Sequence, residues 1–341
     1  MKTVDTPRRL GTLAIAAACL LGFSAHAADA VKLKLASFEP PMANITSNVL
    51  APFAKEASAG SAGSLDIGVF AGGTLGRNPT QQLKLVTDGI ADLAWIVLPY
   101  TPGRFDDTDV VALPFMINSA TEASVSLHRL YASNALTGFN GLKVLGLGST
   151  PPVWFHGSKV VRNPADLKGK RVRGSGDHMT KVIEALGGAP VMVGGGQIAE
   201  ALSKGVIDLT LNNWGFVGDF KVNEVSSEHF EMPLGAVAVA LVMKQDRYDA
   251  LPKEARASID KASGEALARK IGEAFDRQEN EVRERVSKSG KNNVVRPTPE
   301  QMAEWKKQIE PINQAWKQAS RRNERTYVSF TAELQRFRSG K

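Results

Sequence analysis

A chain of 341 residues is more than one small core usually accommodates, so the length favours two lobes. Lysine and arginine outnumber aspartate and glutamate by 42 to 35, which gives a formal net charge of +7. Basic and acidic residues alternate along the C-terminal part, so this balance indicates a solvated mixed surface and argues against a nucleic-acid partner. The single cysteine, Cys19, excludes a disulfide framework within the chain.

The first thirty residues have the order of a secretory signal peptide. Basic residues, an apolar run and a small-residue triplet follow one another, namely Lys2, Arg8 and Arg9, residues 13–23, and Ala25-His26-Ala27. We therefore predict cleavage after Ala27 and a periplasmic mature protein. The apolar run is too short for a membrane anchor, which needs roughly 20 residues.

Cys19 lies inside the segment that cleavage removes, so the mature protein would contain no thiol nucleophile and no thiolate ligand. A lipoprotein with an acylated Cys19 is the alternative, because small residues precede this cysteine. The run Ala16-Ala17-Ala18-Cys19 lacks the leucine usual in such sites, which favours the removed signal peptide.

From residue 31 to residue 211, patterns typical of strands alternate with patterns typical of helices. The predicted strands are 31–36, 65–70, 91–97, 143–148, 152–156, 171–173, 190–193 and 207–211. The predicted helices are 44–57, 78–88, 120–134, 178–186 and 197–204. Asn78 and Pro79 mark one helix start, as a capping residue and a residue suited to the first helical position. This alternation predicts an α/β fold of mainly parallel sheets with helices on both faces.

After residue 250 the sequence becomes charge-rich and amphipathic, which predicts long helices at about 253–288 and 298–337, separated by Pro297 and Pro299. Because no flexible linker separates the βα units, we expect two lobes that share chain crossings. The predicted first lobe comprises residues 28–148 plus about 214–250, and the second comprises 149–213 plus about 251–341, including the long helices. In open sheets of this kind the ligand lies beyond the carboxyl ends of the strands.

A short strand at 170–173 carries the side chain best suited to bind an anion. Alternation places Val172 on one face of the strand and Arg171 and Arg173 on the other. The glycines that follow let the backbone turn into a helix whose first N–H groups are unpaired. A guanidinium beside a helix N-terminus suits a carboxylate, because its planar fork donates two parallel hydrogen bonds.

Four motifs follow one another along the chain. They are Gly72-Gly73-Thr74-Leu75-Gly76, Asn163-Pro164-Ala165-Asp166-Leu167-Lys168-Gly169-Lys170-Arg171-Val172-Arg173, Leu186-Gly187-Gly188-Ala189-Pro190-Val191 and Ala201-Leu202-Ser203-Lys204-Gly205-Val206-Ile207-Asp208. In order and spacing the chain resembles the substrate-binding subunits of tripartite ATP-independent periplasmic (TRAP) transporters, the DctP family. The resemblance implies a two-lobed α/β fold with hinge strands and a long helix touching both lobes. It also implies a receptor for a small organic acid that serves small and large integral membrane subunits, with no cofactor and no catalysis.

The resemblance also implies roles for individual residues. An arginine of the second motif clamps the ligand carboxylate in this family, and it falls on Arg173; an asparagine that lines the site falls on Asn212. The loop after the first strand lines the cleft, which places Phe38 and Glu39 there, and Gly73 of the glycine turn is expected at the ligand. Glu39 beside an anionic ligand would need a hydroxyl or an amine to meet; a surface position is its alternative.

Departures from the family pattern change the expected ligand. Some members place a second arginine where this chain has Val153, and Gln197, Ala199 and Leu209 also replace residues common in the family. A dicarboxylate needs a partner for each charge, because an unpaired buried charge costs several kcal/mol. We therefore favour a monocarboxylate with an apolar or aromatic body, packed on flat walls. The candidate walls are Trp95, Tyr100, Trp154, Trp214 and Phe216.

Two alternatives remain open. A dicarboxylate or hydroxy-acid receptor of the same family would need Lys181, Arg171 or ordered water for the second polar end of its ligand. A periplasmic enzyme on a two-lobed scaffold is the other alternative, since a fold does not specify a function. His156 and His178 flank the expected site and are the candidate catalytic residues of such an enzyme. Their spacing is not that of metal ligands, and no Gly-x-Ser-x-Gly motif accompanies them, which argues against this alternative. For mid-strand Trp95, core packing is at least as strong an alternative as ligand contact.

Overall fold

The computed structural model describes residues 1–4 and 29–340. The predicted cleavage point after Ala27, Cys19 and most of the predicted signal peptide lie outside these residues. Two β-sheets form the centres of two lobes. In the described part of the chain, no helix combines the length and apolar character needed to cross a membrane.

The first lobe is built on a five-stranded mixed sheet. Its strands are β1 (Val31–Ala36), β2 (Leu65–Phe70), β3 (Leu93–Val97), β4 (Leu142–Ser149) and β10 (Ala238–Lys244), in the order β2-β1-β3-β10-β4. β1 is parallel to β2 and β3, whereas β10 is antiparallel to β3 and β4. In β1, Leu33 and Leu35 are buried while Lys32 and Lys34 are exposed, as the alternation in the sequence predicts.

The second lobe is built on a six-stranded mixed sheet. Its strands are β5 (Trp154–Gly157), β6 (Arg171–Arg173), β7 (Ala189–Pro190), β8 (Leu209–Asn212), β9 (Glu228–Phe230) and β11 (Asn293–Val295), in the order β11-β9-β5-β8-β6-β7. β6 is parallel to β7 and β8, and β5 is antiparallel to β8 and β9. Each sheet is therefore mainly parallel, with one antiparallel strand, β10 or β5, inserted between parallel ones.

Helices cover both sheets. They are α1 (Ala51–Ala59), α2 (Gln82–Thr87), α3 (Ala120–Ala132), α4 (Gly176–Ala185), α5 (Ile198–Ser203), α6 (Trp214–Asp219), α7 (Gln245–Asp249), α8 (Lys253–Ala262), α9 (Glu265–Ser287), α10 (Pro299–Gln318) and α11 (Arg321–Arg338). Asn78 caps the helical turn Pro79–Gln81 before α2, as predicted, by accepting a hydrogen bond from the backbone N–H of Thr80.

Each of the two long C-terminal helices predicted from the sequence is divided in two. Gly264 separates α8 from α9 with a φ of +77°, a conformation that favours glycine. Ser320 separates α10 from α11, and its side chain caps α11 by accepting from the backbone N–H of Asn323. The amphipathic pattern continues across both breaks, so the pattern alone does not reveal them.

Helix α9 touches both lobes. Leu267, Ile271 and Phe275 pack in the core of the first lobe, whereas Val282 and Val286 pack in that of the second. This arrangement, with the two mixed sheets, confirms the predicted two-lobed α/β fold and its lobe-spanning helix.

Two antiparallel chain segments, 150–153 and 231–237, connect the sheets beside α9. Thr150 N–H donates to the carbonyl of Val237 at 2.9 Å, and Val153 N–H donates to that of Gly235 at 2.8 Å. These backbone hydrogen bonds form a short two-stranded hinge between the lobes.

The predicted division of the chain needs correction. Strand β9, within the 214–250 segment expected in the first lobe, lies in the second sheet, and Trp214 and Val222 pack in the second core. Helix α8 and the start of α9, expected in the second lobe, pack on the first. Helix α11 also returns to the first lobe through Phe330, whereas α10 packs on the second. The chain crosses between lobes more often than a two-block division allows.

Candidate ligand-binding site

A pocket lies between the lobes, where strands of both sheets end. Phe38 and Glu39 follow β1, Tyr100 follows β3, Arg173 ends β6 and Asn212 ends β8. The carboxyl ends of four parallel strands thus face one crevice, which is where such sheets bind ligands. The lining residues are Phe38, Glu39, Ile45, Trp95, Val97, Tyr100, Thr150, Val153, Arg173, Ser175, Asn212, Asn213, Phe216, Asp219, Phe220, Val237, Val239, Phe275 and Gln278.

Arg173 is the cation of this pocket. Its side chain is held from both lobes, because Nε donates to the carbonyl of Val193 at 3.2 Å and Nη2 donates to Tyr100 Oη at 3.0 Å. The residue is only 1% exposed, yet no aspartate or glutamate among residues 29–340 forms an ion pair with it. A buried guanidinium with two neutral partners is electrostatically incomplete, and a ligand carboxylate would complete it.

Asn212 lies close to Arg173 because β6 and β8 are neighbours, with Arg173 opposite Thr210 in the register. Thr210 Oγ1 donates to Asn212 Oδ1 at 2.6 Å, which leaves the amide N–H groups of Asn212 as donors. His156 Nε2 lies 2.9 Å from the backbone carbonyl of Asn212 and holds the strand end in place. The site therefore combines a cation with an oriented neutral donor.

Apolar and aromatic side chains form most of the other walls. Phe216 and Phe220 are stacked, with ring centroids 4.3 Å apart and an interplanar angle of 19°. Val153 lies where some relatives of the expected family carry a second arginine, and it is buried. Arg173 is the only lysine or arginine among the lining residues that the structure describes. One carboxylate can be neutralised here, and a second would lack a cation.

Two acidic side chains lie in the same pocket. Glu39 Oε1 accepts from Trp95 Nε1 at 3.0 Å, and Asp219 accepts from the backbone N–H of Asn44 at 3.3 Å. Burial raises the pKa of Glu39 to about 8, with a further upward contribution from the charge of Asp219 and an opposing one from the Trp95 hydrogen bond. Burial also raises the pKa of Asp219.

Most residues predicted for the site are brought together. Seven line the pocket, namely Phe38, Glu39, Tyr100, Val153, Arg173, Asn212 and Phe216. Trp95 also lines it, although its ring lies in the core of the first lobe as well.

Three predicted residues do not line this pocket. Trp154 and Trp214 face a separate groove behind the hinge, where their Nε1 groups donate to Glu279 at 2.7 Å and Glu231 at 2.9 Å. Trp154 points away because adjacent strand residues alternate between faces, and Trp214 begins a helix that turns inward. Gly73 forms a turn instead: its φ is +72°, and its N–H donates to the carbonyl of Ser37.

Several lining residues were not predicted from the sequence. Phe275 and Gln278 come from α9, and Asp219 and Phe220 come from the end of α6, far along the chain from the first motifs. Asn213 had a signal, since it adjoins Asn212. The others had none, because only the folded arrangement brings these helices to the cleft.

The histidines and the alternative cations lie elsewhere. Arg171 is paired with Asp208 at 3.0 Å, and Lys181 lies beside the acidic groups of another interlobe pocket together with His178. His156 is buried, with its Nδ1 2.8 Å from that of His229. Within residues 29–340 no group of three or more acidic, histidine or cysteine side chains is arranged to hold a metal ion.

Comparisons with known proteins show the family of the chain. The model of the family described as bacterial extracellular solute-binding protein, family 7, matches residues 36–319. A TRAP solute-binding protein specific for aromatic acid ligands, from an unidentified marine metagenome microbe, was solved with 3-hydroxybenzoate. It is 29% identical, with a TM-score of 0.85, and the match covers 91% of this chain and 99% of that one.

Two further relatives differ in the ligands that their names state. A TRAP solute-binding protein from Rhodoferax ferrireducens T118, solved with copurified benzoate, is 28% identical with a TM-score of 0.85, over 90% of this chain and 98% of that one. The C4-dicarboxylate-binding periplasmic protein DctP of Rhodobacter capsulatus is 24% identical over 323 residues, 90% of this chain and 93% of that protein.

Proposed function

Because the chain belongs to family 7 of the bacterial extracellular solute-binding proteins, the DctP family of TRAP receptors, we propose that it captures a monocarboxylate with an aromatic or apolar body. The observation that carries the proposal is Arg173, a buried cation without an acidic partner among the described residues, at one end of an otherwise largely apolar pocket. The guanidinium binds the carboxylate, Asn212 donates a second hydrogen bond, and Phe216 and Phe220 pack on the ligand body.

Closure of the two lobes follows from the same contacts. Tyr100 belongs to the first lobe and Arg173 to the second, so their hydrogen bond crosses the cleft. A ligand that touches both sides binds the closed arrangement more strongly than the open one and shifts the population towards it. In the periplasm, after removal of residues 1–27, the loaded closed form then delivers its unchanged ligand to the small and large membrane subunits.

The proposal excludes a C4-dicarboxylate as the preferred ligand. Arg171 is engaged by Asp208, and Lys181 is not among the lining residues, so neither supplies the second cation that such a ligand needs. The described lining residues of the first lobe include Glu39 and no lysine or arginine, so a second negative charge would find no cation there.

A thermal-unfolding panel tests the ligand class. We expect benzoate to raise the melting temperature, because a ligand at 100 times its dissociation constant adds about 2.7 kcal/mol of stability. Succinate should give no comparable shift, and neither should benzamide, which matches benzoate in shape but lacks its charge. The protein should also release benzoate unchanged after prolonged incubation, as mass spectrometry would show. Stabilisation by succinate and not by benzoate would contradict the proposal.

A further inference from the structure

Glu39 lies in the same pocket as Arg173 but belongs to the first lobe, and its carboxyl group is only half satisfied. Its backbone is fixed, since its N–H donates to Ser37 Oγ at 3.2 Å and its carbonyl accepts from Gly72 N–H at 2.7 Å. Oε1 accepts from Trp95 Nε1 at 3.0 Å. Oε2 has no hydrogen-bond partner among the described residues, so one oxygen of a well-positioned carboxyl group is free for a ligand.

The charged and titratable groups around Glu39 come from three elements. Asp219, at the end of α6, raises the pKa of Glu39, and Arg173 on β6 lines the same pocket. Arg285 on α9 acts in the opposite sense on Asp219, whose carboxyl group also accepts from Gln278. Burial and Asp219 together bring the pKa of Glu39 to about 8, so near neutral pH this group is mostly an uncharged carboxylic acid that both donates and accepts.

An unsubstituted aromatic acid would cover Glu39 without pairing its free oxygen, and an unpaired buried polar atom is costly. A second carboxylate would lack a cation at this end of the pocket and would be repelled once Glu39 ionises. A hydroxyl group on the far side of the ligand body satisfies the carboxyl group in either protonation state, because it can accept from the acid or donate to the carboxylate.

Resting on the function proposed above, we propose that Glu39, positioned by Trp95, forms a second polar subsite that selects aromatic acids with a hydroxyl group remote from the carboxylate. The preference has a defined pH dependence. When Glu39 is ionised, the hydrogen bond that the ligand hydroxyl donates to it is charge-assisted and therefore stronger. An apolar substituent at the same place would instead remove water from the carboxylate without replacing its hydrogen bond, which weakens binding. Selectivity for the hydroxylated acid therefore rises with pH.

The test compares 3- and 4-hydroxybenzoate with 3- and 4-methylbenzoate, since a methyl group replaces the hydroxyl at similar size without a hydrogen bond. Dissociation constants are measured by calorimetry at about pH 6.5 and about pH 8.5, on either side of the Glu39 pKa and below the ionisation of most phenols. For the wild type we expect the better hydroxybenzoate to bind roughly tenfold or more tightly than its methyl counterpart at the lower pH, with a larger ratio at the higher pH.

Two variants and a control make the assignment specific. Glu39→Met removes the carboxyl group while keeping a side chain of similar length, and it should abolish the preference for hydroxybenzoate over methylbenzoate. Glu39→Gln keeps the bond from Trp95 but cannot ionise, so its ratio should not change with pH. Glu184→Gln, at an exposed position of α4, should behave as the wild type.

Three results would overturn the subsite. If the wild type binds the hydroxybenzoates and the methylbenzoates equally well, the subsite is contradicted but the proposed function is not. A preference retained in Glu39→Met would remove Glu39 from the role. Failure of the wild type to bind any of the four acids would overturn the subsite and the proposed function together.

Discussion

Two polar side chains of opposite character, the buried Arg173 and the partly exposed Glu39, define this pocket. Arg173 is fully buried, and its side chain donates hydrogen bonds only to uncharged groups. One carboxyl oxygen of Glu39 accepts a hydrogen bond from Trp95, and the other has no partner among the described residues. Each arrangement costs free energy in the protein alone, because buried polar groups are stable only when paired. Residues that bear such a cost are candidates for ligand contacts, and these two lie on opposite lobes of one cleft.

Among single residues, those that the sequence places after a strand do line one pocket. Arg173, Asn212, Phe38 and Glu39 all lie at strand ends, and parallel strands bring their carboxyl ends together. Trp154 was misplaced because it adjoins Val153, and adjacent residues at a strand face opposite sides, so both could not line one pocket.

Buried histidines predict a loss of stability in acid. His178 is buried on α4, and burial, with the nearby charge of Lys181, lowers its pKa to about 4. Between about pH 6.5 and pH 4 the imidazole of His178 is protonated in the unfolded chain but mostly neutral in the folded protein. The free energy of unfolding therefore falls as the pH drops through this range, and this group does not affect it at higher pH. Between about pH 7 and pH 5 the loss from His178 amounts to about 2 kcal/mol.

Urea unfolding of the wild type and His178→Gln at those two pH values measures this loss. Other groups with shifted pKa values, such as Asp109, contribute to both proteins, so the difference between the two isolates the imidazole. We expect the variant to lose about 2 kcal/mol less than the wild type on acidification. Equal losses would show that His178 titrates normally.

At the scale of elements, α9 holds the first lobe together by close contact with α3. A Cβ atom placed on Gly272 would lie 2.4 Å from the Cα of Thr121, so the two backbones touch. Asp276, one turn further along α9, accepts hydrogen bonds from the backbone N–H groups of Ala120 and Thr121 at 2.7 and 2.9 Å. Gly272 thus allows the two helices to approach closely, and Asp276 accepts hydrogen bonds from the N-terminus of α3, so both residues stabilise this interface.

This contact predicts a reversal of the usual effect of alanine. Glycine to alanine in a helix normally stabilises it by about 1 kcal/mol. At position 272 the new methyl group displaces α3, and we expect Gly272→Ala to lower the free energy of unfolding by about 1–3 kcal/mol in urea titrations. Gly196→Ala, where the added Cβ meets nothing within 4 Å, should change it by less than about 0.5 kcal/mol. A stabilised Gly272→Ala would contradict the packing argument.

The helices and strands were largely predictable because their periodicities differ. β1, β2 and β6 begin and end where alternation in the sequence predicts. The breaks at Gly264 and Ser320 were not, because amphipathic spacing continues through them and a glycine or serine is also tolerated inside a helix.

At the scale of the whole molecule, the sequence predicts two lobes but not which segments belong to each. Strand β10 and helix α11 lie in the first lobe although the elements that precede them in the chain lie in the second, and only sheet pairing and core packing decide this. Gly176 shows how closely the lobes approach: a Cβ atom there would lie 2.6 Å from that of Pro99 in the first lobe. Both the site and the closed arrangement are therefore properties of the assembled lobes.

The proposed function depends above all on Arg173 holding a ligand carboxylate between the lobes. Titration calorimetry with benzoate tests it most directly, comparing the wild type with Arg173→Met and with Arg171→Ala, an exposed arginine two residues earlier on the same strand. Loss of one member of a buried charge pair costs about 2–5 kcal/mol, so Arg173→Met should bind at least about 30-fold more weakly, while Arg171→Ala should bind as the wild type does. Undiminished affinity in a folded Arg173→Met protein would contradict the account.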